Sequence, residues 1–195
     1  MSSMGSTPTM SLAMTALMTV AMMVAMMLPS FAPTLWRFHR HLHAMRTPHA
    51  GERTTLFAVG YAGVWIVLAL ALFALNIELP PTTLAPWAGP VLLCVGALQR
   101  SRWKAERLLR CRDGCAPVPP ANVAAHWRDG CRFGVECGLS CAALMTVLLI
   151  AGLMDARMMA VITAAVTAER VAPDGVRVAR CSGAVALVVG LLMCL

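Results

Sequence analysis

The side chains most suited to chemistry in this chain are sulfur donors. Met10, Met14, Met18, Met22 and Met26 recur every fourth residue, and Met23 and Met27 add a second pair on an adjoining helical face. Thioether sulfur is a soft ligand that suits Cu(I), although the same stripe also serves as adaptable core packing. The string GVECGLSCAALM then places Cys137, Cys141 and Met145 on one stripe of a helix at about 6 Å per step, with Glu136 and Ser140 beside them. Buried cysteines commonly act as small hydrophobes, so the competing assignment is plain packing. Glu169 follows the apolar stretch MMAVITAAVTA, where a carboxylate must face protein, water or a cation. It either takes part in metal or proton handling or pairs with an arginine such as the adjacent Arg170. The segment WRFHRHLH sets His39 and His43 on one face if it is helical, a spacing able to hold one metal ion; a basic interfacial anchor is the plainer alternative. Cys111 and Cys115 in RCRDGCAP are a further soft pair, with no second CxxC to make a paired zinc motif.

These residues sit in a strongly apolar chain. Of 195 residues 59% are hydrophobic and only 13% charged, against about 25% charged in ordinary soluble domains. Disorder is excluded on the same grounds. Sixteen Lys and Arg against nine Asp and Glu leave a net charge of +7, which raises the question of nucleic acid, but the positions of the charges answer it. Arg37, Arg40, Arg46 and Arg53 fall between the first two apolar runs, and eight more basic residues, Arg100 to Arg132, between the third and fourth. Basic residues confined to alternate loops report topology, not a nucleic-acid partner.

Apolar runs bounded by charge predict an all-α polytopic transmembrane bundle of about six spans, roughly 10–35, 57–77, 84–99, 134–154, 156–171 and 178–195, with a large cytoplasmic loop over 100–133. Runs three and six are short, and four spans are the fallback if those two fail to cross. Pro29 and Pro33 are expected to kink or end the first helix near its charged exit. Loop by loop, fifteen of the sixteen basic residues fall on one side, which the positive-inside rule makes the cytoplasm, with both termini outside. The N-terminal MSSMGSTPTM lacks a positive n-region and does not resemble a removable signal peptide. CAPVPPAN reads as an extended turn.

No Gly-rich phosphate loop, HExxH or G-x-S-x-G is present, and five His, four of them in one loop, do not supply a di-iron oxygenase. The expectation is a non-enzyme.

The strings MTVAMMVAMMLPSFAP, FAVGYAGVW, RCRDGCAP, HWRDGCRFGVECGLSCAALM, GLMDARMM and TAER, in this order over most of residues 15 to 190, resemble a bacterial family of predicted metal-binding integral membrane proteins, otherwise a domain of unknown function. The resemblance implies an inner-membrane protein whose motif comprises Met22, Met23, Met26, Met27, Cys111, Cys137, Cys141, Met145, Met154, Met158 and Glu169. This chain departs from the family pattern at Ser140, where many relatives carry a second Cys beside Cys141, and at Ala142, where an aromatic is common.

The leading expectation is a single membrane domain that binds or passes a soft metal, copper as Cu(I), between the first, fourth and fifth helices. Met22, Met26, Cys137 and Cys141 would supply exchangeable ligands, with Met145 extending the path and Glu169 balancing charge. The alternative is a non-catalytic accessory subunit packed against a larger membrane complex or copper enzyme, its small residues and Met serving helix packing.

Overall fold

The computed structural model describes residues 8–46, 49–78, 81–113, 123–151 and 155–195. Cys115, Met154 and the expected CAPVPPAN turn lie outside the described residues. Helix α1 spans Pro8–Ala44, α2 Ala50–Glu78, α3 Ala88–Gln99, α4 Arg102–Asp113, α5 Val123–Ala151, α6 Ala156–Val171 and α7 Gly175–Cys194. Two short turns, Pro81–Leu84 and Ala85–Trp87, lead into α3. No strand occurs among the described residues, as expected.

Among the described residues four helices, not six, are long and apolar enough to cross a membrane: α1, α2, α5 and α7. The predicted third span contracts to the 12 residues of α3, while the fifth keeps its expected bounds as the 16 residues of α6. At 1.5 Å rise these reach about 18 and 24 Å, short of a hydrocarbon core of about 30 Å. The number of helices of spanning length thus equals the fallback count of four, but with a different membership, since the sixth run forms a 20-residue helix and the fifth falls short. Asp155 explains where α6 starts. Its carboxylate accepts from the backbone N–H of Arg157 and Met158, an N-cap that fixes the first turn.

Helix α1 runs through both Pro29 and Pro33 to Ala44, so the prolines do not end it. Each proline removes one N–H bond and crowds the carbonyl four residues back, but the turns beyond are held by tertiary contacts. Phe31 stacks on Tyr61 at 3.9 Å between ring centres and Phe38 on Phe57 at 4.6 Å, so α1 and α2 are antiparallel. Helix α5 begins eleven residues before the expected 134. Arg128 and Arg132 end the hydropathy run, yet both are exposed, while His126, Gly130, Phe133 and Cys137 repeat at helical spacing on the buried face.

Glycines set the closest helix contacts. Gly60 lies against the Trp127 carbonyl and Gly130 against that of Phe57; further along, Gly134 meets Val64 and Gly138 meets Leu68. This register makes α2 and α5 parallel, so the chain between them returns to the end from which α2 began. Gly89 and Gly96 on α3 oppose Gly190 and Gly183 on α7 in antiparallel register, and a Cβ at Gly96 would lie 2.7 Å from the Gly183 carbonyl. Small residues are what permit such approach in an apolar medium.

Gly130→Ala is expected to lower the thermal midpoint in detergent, because the added methyl meets backbone instead of a flexible side chain; overpacking of this kind costs about 1–3 kcal/mol. Gly51→Ala, where nothing lies within 4 Å of the new methyl, should leave the midpoint unchanged or raise it slightly. Equal midpoints for the two variants would refute the close packing of α2 on α5.

Candidate metal centre

Cys137 and Cys141 occupy successive turns of α5 and are 0% and 1% exposed. The Cys141 thiol donates to the Cys137 carbonyl at 3.1 Å, a local bond open to a thiol on the next turn. Cys137 Sγ lies 3.3 Å from the Tyr61 hydroxyl on α2. Met145 continues the stripe one turn on and is buried. From α1, Met23, Met26 and Met27 enter the same core, with Met22 and, from α6, Met158 packed partly against it. The structure thus brings the expected sulfurs of α1 and α5 into one apolar cluster. The outer part of the methionine stripe behaves differently: Met14 and Met18 are 67% and 57% exposed, because no helix among the described residues covers that face.

Beside the thiols stands a charged layer. Glu169, expected as a ligand or charge partner, is fully enclosed and meets Lys104 at 2.8 Å with both side chains 2% exposed. Gln99 Nε2 donates to the same carboxylate at 2.7 Å, and the Ser182 hydroxyl at 3.0 Å. The Lys104 ammonium also donates to the Ser140 carbonyl. The partner of Glu169 is therefore the sole lysine of the chain and not Arg170. Arg170 turns the other way, donating to the Ser140 hydroxyl at 3.0 Å and the Cys137 carbonyl at 3.3 Å. It forms no salt bridge among the described residues.

Cys111, on α4, lies across Arg170 from the other thiols. It is 4% exposed, and burial pushes its thiol above the ordinary cysteine range, against the opposing pull of the Arg170 charge. Cys111 and Arg170 line a small cavity of about 50 Å³ with Ser30, Pro33, Thr34, Arg37 and Val171. The cavity opens beside the thiol layer at the basic end of α1. His39 and His43 lie further along the same helix, their ring centres 4.5 Å apart. Among the described residues no three His, Cys, Asp or Glu side chains gather as a ligand set. The soft donors are thus two adjacent thiols in a methionine-lined core, a donor set that fits Cu(I) better than a hard cation.

Tyr61, Lys104 and Gln99 are not soft donors, and Arg170 is expected from the sequence only as a partner of Glu169; donor type identifies ligands and not the residues that hold them. Two compositional signals pointed to them, since Tyr61 is the only tyrosine and Lys104 the only lysine.

Among protein families, one whose description is copper chaperone matches residues 16–193. No curated protein and no solved structure matches the chain.

Glu169→Gln should destabilise the protein by about 3–5 kcal/mol, the usual consequence of leaving one member of a buried ion pair without its countercharge. Adding Lys104→Met to Glu169→Gln should recover more than half of that loss, because the amide still accepts from Gln99 and Ser182. Reversible unfolding in mixed micelles would measure both, and purely additive losses would contradict the pairing.

Proposed function

The chain belongs to the copper chaperone family, and from that premise we propose that it carries Cu(I) as cargo, held by the thiolates of Cys137 and Cys141 with methionine sulfur from α1 and Met145 close by. The observation that carries this reading is a partly buried guanidinium, Arg170, that has no carboxylate partner among the described residues and hydrogen-bonds on the turn of α5 bearing Cys137.

Charge balance gives that arrangement its meaning. Two neutral thiols and Cu(I) yield a bis-thiolate complex of net charge −1 and release two protons, since thiolates are the metal-binding form. A dithiolate–Cu(I) unit in an apolar core needs one positive charge nearby, and Arg170 supplies it. Glu169 cannot compete for that charge because Lys104 already neutralises it. The network of Lys104, Glu169, Gln99 and Ser182 therefore balances charge next to the ligands while standing outside the first coordination sphere.

Soft ligands also suit delivery. Thioethers bind Cu(I) without deprotonating, so Met23, Met26 and Met27 offer exchangeable positions as the ion leaves the thiolates. The cavity reaching Cys111 and Arg170 offers a passage from the basic end of the bundle, with Cys111 as an intermediate donor. The protein is assigned to the bacterial inner membrane with its basic end cytoplasmic and both termini outside, a placement supported by four helices of spanning length and by the distribution of Arg. A copper enzyme or its membrane complex is the natural recipient, and no reaction is assigned to the chain itself.

Competition with a chromogenic Cu(I) chelator on purified, reduced protein tests the reading. Wild type should hold one tightly bound Cu(I) at this site. Cys137→Ser and Cys141→Ser should each weaken it at least a hundredfold, and Arg170→Gln about tenfold or more with Arg170→Lys closer to wild type. Tight Cu(I) retained by both cysteine variants would overturn the assignment.

A further inference from the structure

We propose that His39 and His43 form a second metal site, an imidazole pair at the end of α1 that takes Cu(I) outside the sulfur core. The two rings are one turn apart on the same helical face, with centres 4.5 Å apart and planes at 72°. With metal–nitrogen bonds of about 2 Å, two imidazoles sharing one ion place their ring centres about 5–6 Å apart. His43 is exposed and His39 half-buried, so a rotation of the outer ring supplies the small opening required.

The hydrogen bonding of His39 selects the nitrogen that would bind. The Thr54 hydroxyl, one turn into α2, has a single hydrogen and directs it to the Ala50 carbonyl at 2.7 Å. The contact of 3.1 Å between His39 Nδ1 and Thr54 Oγ1 must then run from the ring N–H to the hydroxyl oxygen. Neutral His39 is thereby held with its proton on Nδ1, which leaves the Nε2 lone pair free. A second-sphere partner of this kind fixes both tautomer and ring orientation at metal sites. The His43 ring has no hydrogen-bond partner among the described residues, so its lone pair is also available. The nearest cation along the helix, Arg40, is drawn over the Trp36 ring at 4.6 Å. Two nitrogen donors satisfy cuprous ion, which accepts low coordination numbers; imidazole is a good copper ligand.

The pair lies on the same helix as Thr34 and Arg37, about half a turn to two and a half turns beyond the residues that line the cavity reaching Cys111. Its role as a loading point for the thiols rests on the function proposed above, whereas the binding itself does not.

Cu(I) titration of the full-length protein, labelled with ¹⁵N-histidine and kept reduced, tests the inference. In the Cys137→Ser/Cys141→Ser variant one Cu(I) should still bind, more weakly than to the thiols, shifting the Nε2 resonances of His39 and His43. His43→Ala in that background should weaken this binding tenfold or more, and His41→Ala should leave it unchanged. Thr54→Val should weaken it about tenfold and abolish the Nδ1–H signature of His39 before any metal is added. Unmoved imidazole resonances, or full binding after His43→Ala, would overturn the site. Failure of the thiol reading gives a different pattern, with wild type and the cysteine variant binding one Cu(I) alike, at the imidazoles alone.

Discussion

Lys104 and Glu169 meet at 2.8 Å with both side chains 2% exposed, and the arrangement of the surrounding helices follows from the need to keep that pair together. A lone ammonium or carboxylate in such surroundings costs several kcal/mol, so α4 and α6 must approach each other beside α5. Gln99 and Ser182 fill the remaining positions on the carboxylate, which draws the end of α3 and the start of α7 to the same point. Once Glu169 is neutralised, Arg170 on the next residue has no acidic partner among the described residues. It settles against Cys137 and Ser140, and a structural ion pair thereby decides the electrostatics of the thiols.

The rest of the architecture brings α1 and α2 to this layer. Gly60 and Gly130 let α2 and α5 touch backbone to backbone, and stacking of Phe31 on Tyr61 fixes α1 against them. Tyr61 serves both purposes, with its ring packed on α1 and its hydroxyl at the Cys137 sulfur. The methionines of α1 are buried only where this contact exists. That is why Met23 and Met27 are enclosed while Met14 and Met18, on the same helix, are exposed.

Much of this was legible in the residues alone. The helical class, the meeting of Met22 to Met27 with Cys137 and Cys141 in one apolar cluster, and the common face of His39 and His43 follow from period and charge position. Hydropathy misjudged α5 because Arg128 and Arg132 are exposed while their neighbours face the core, and a window average cannot separate two faces. It also counted α3 and α6 as spans: α3 starts four residues later than its apolar run, and α6 has the expected bounds but only 16 residues, too few to reach across about 30 Å of hydrocarbon on its own. The identity of the Glu169 partner was hidden for another reason. Residues 104 and 169 are joined by tertiary folding, and nothing local distinguishes the correct cation from Arg170 next door.

Copper K-edge absorption of protein carrying one equivalent of Cu(I) tests the central claim most directly. Sulfur scatterers alone, two or three of them at about 2.2–2.3 Å, are the result expected for thiolates of Cys137 and Cys141 with methionine nearby. A first shell of nitrogen or oxygen without sulfur would contradict the account.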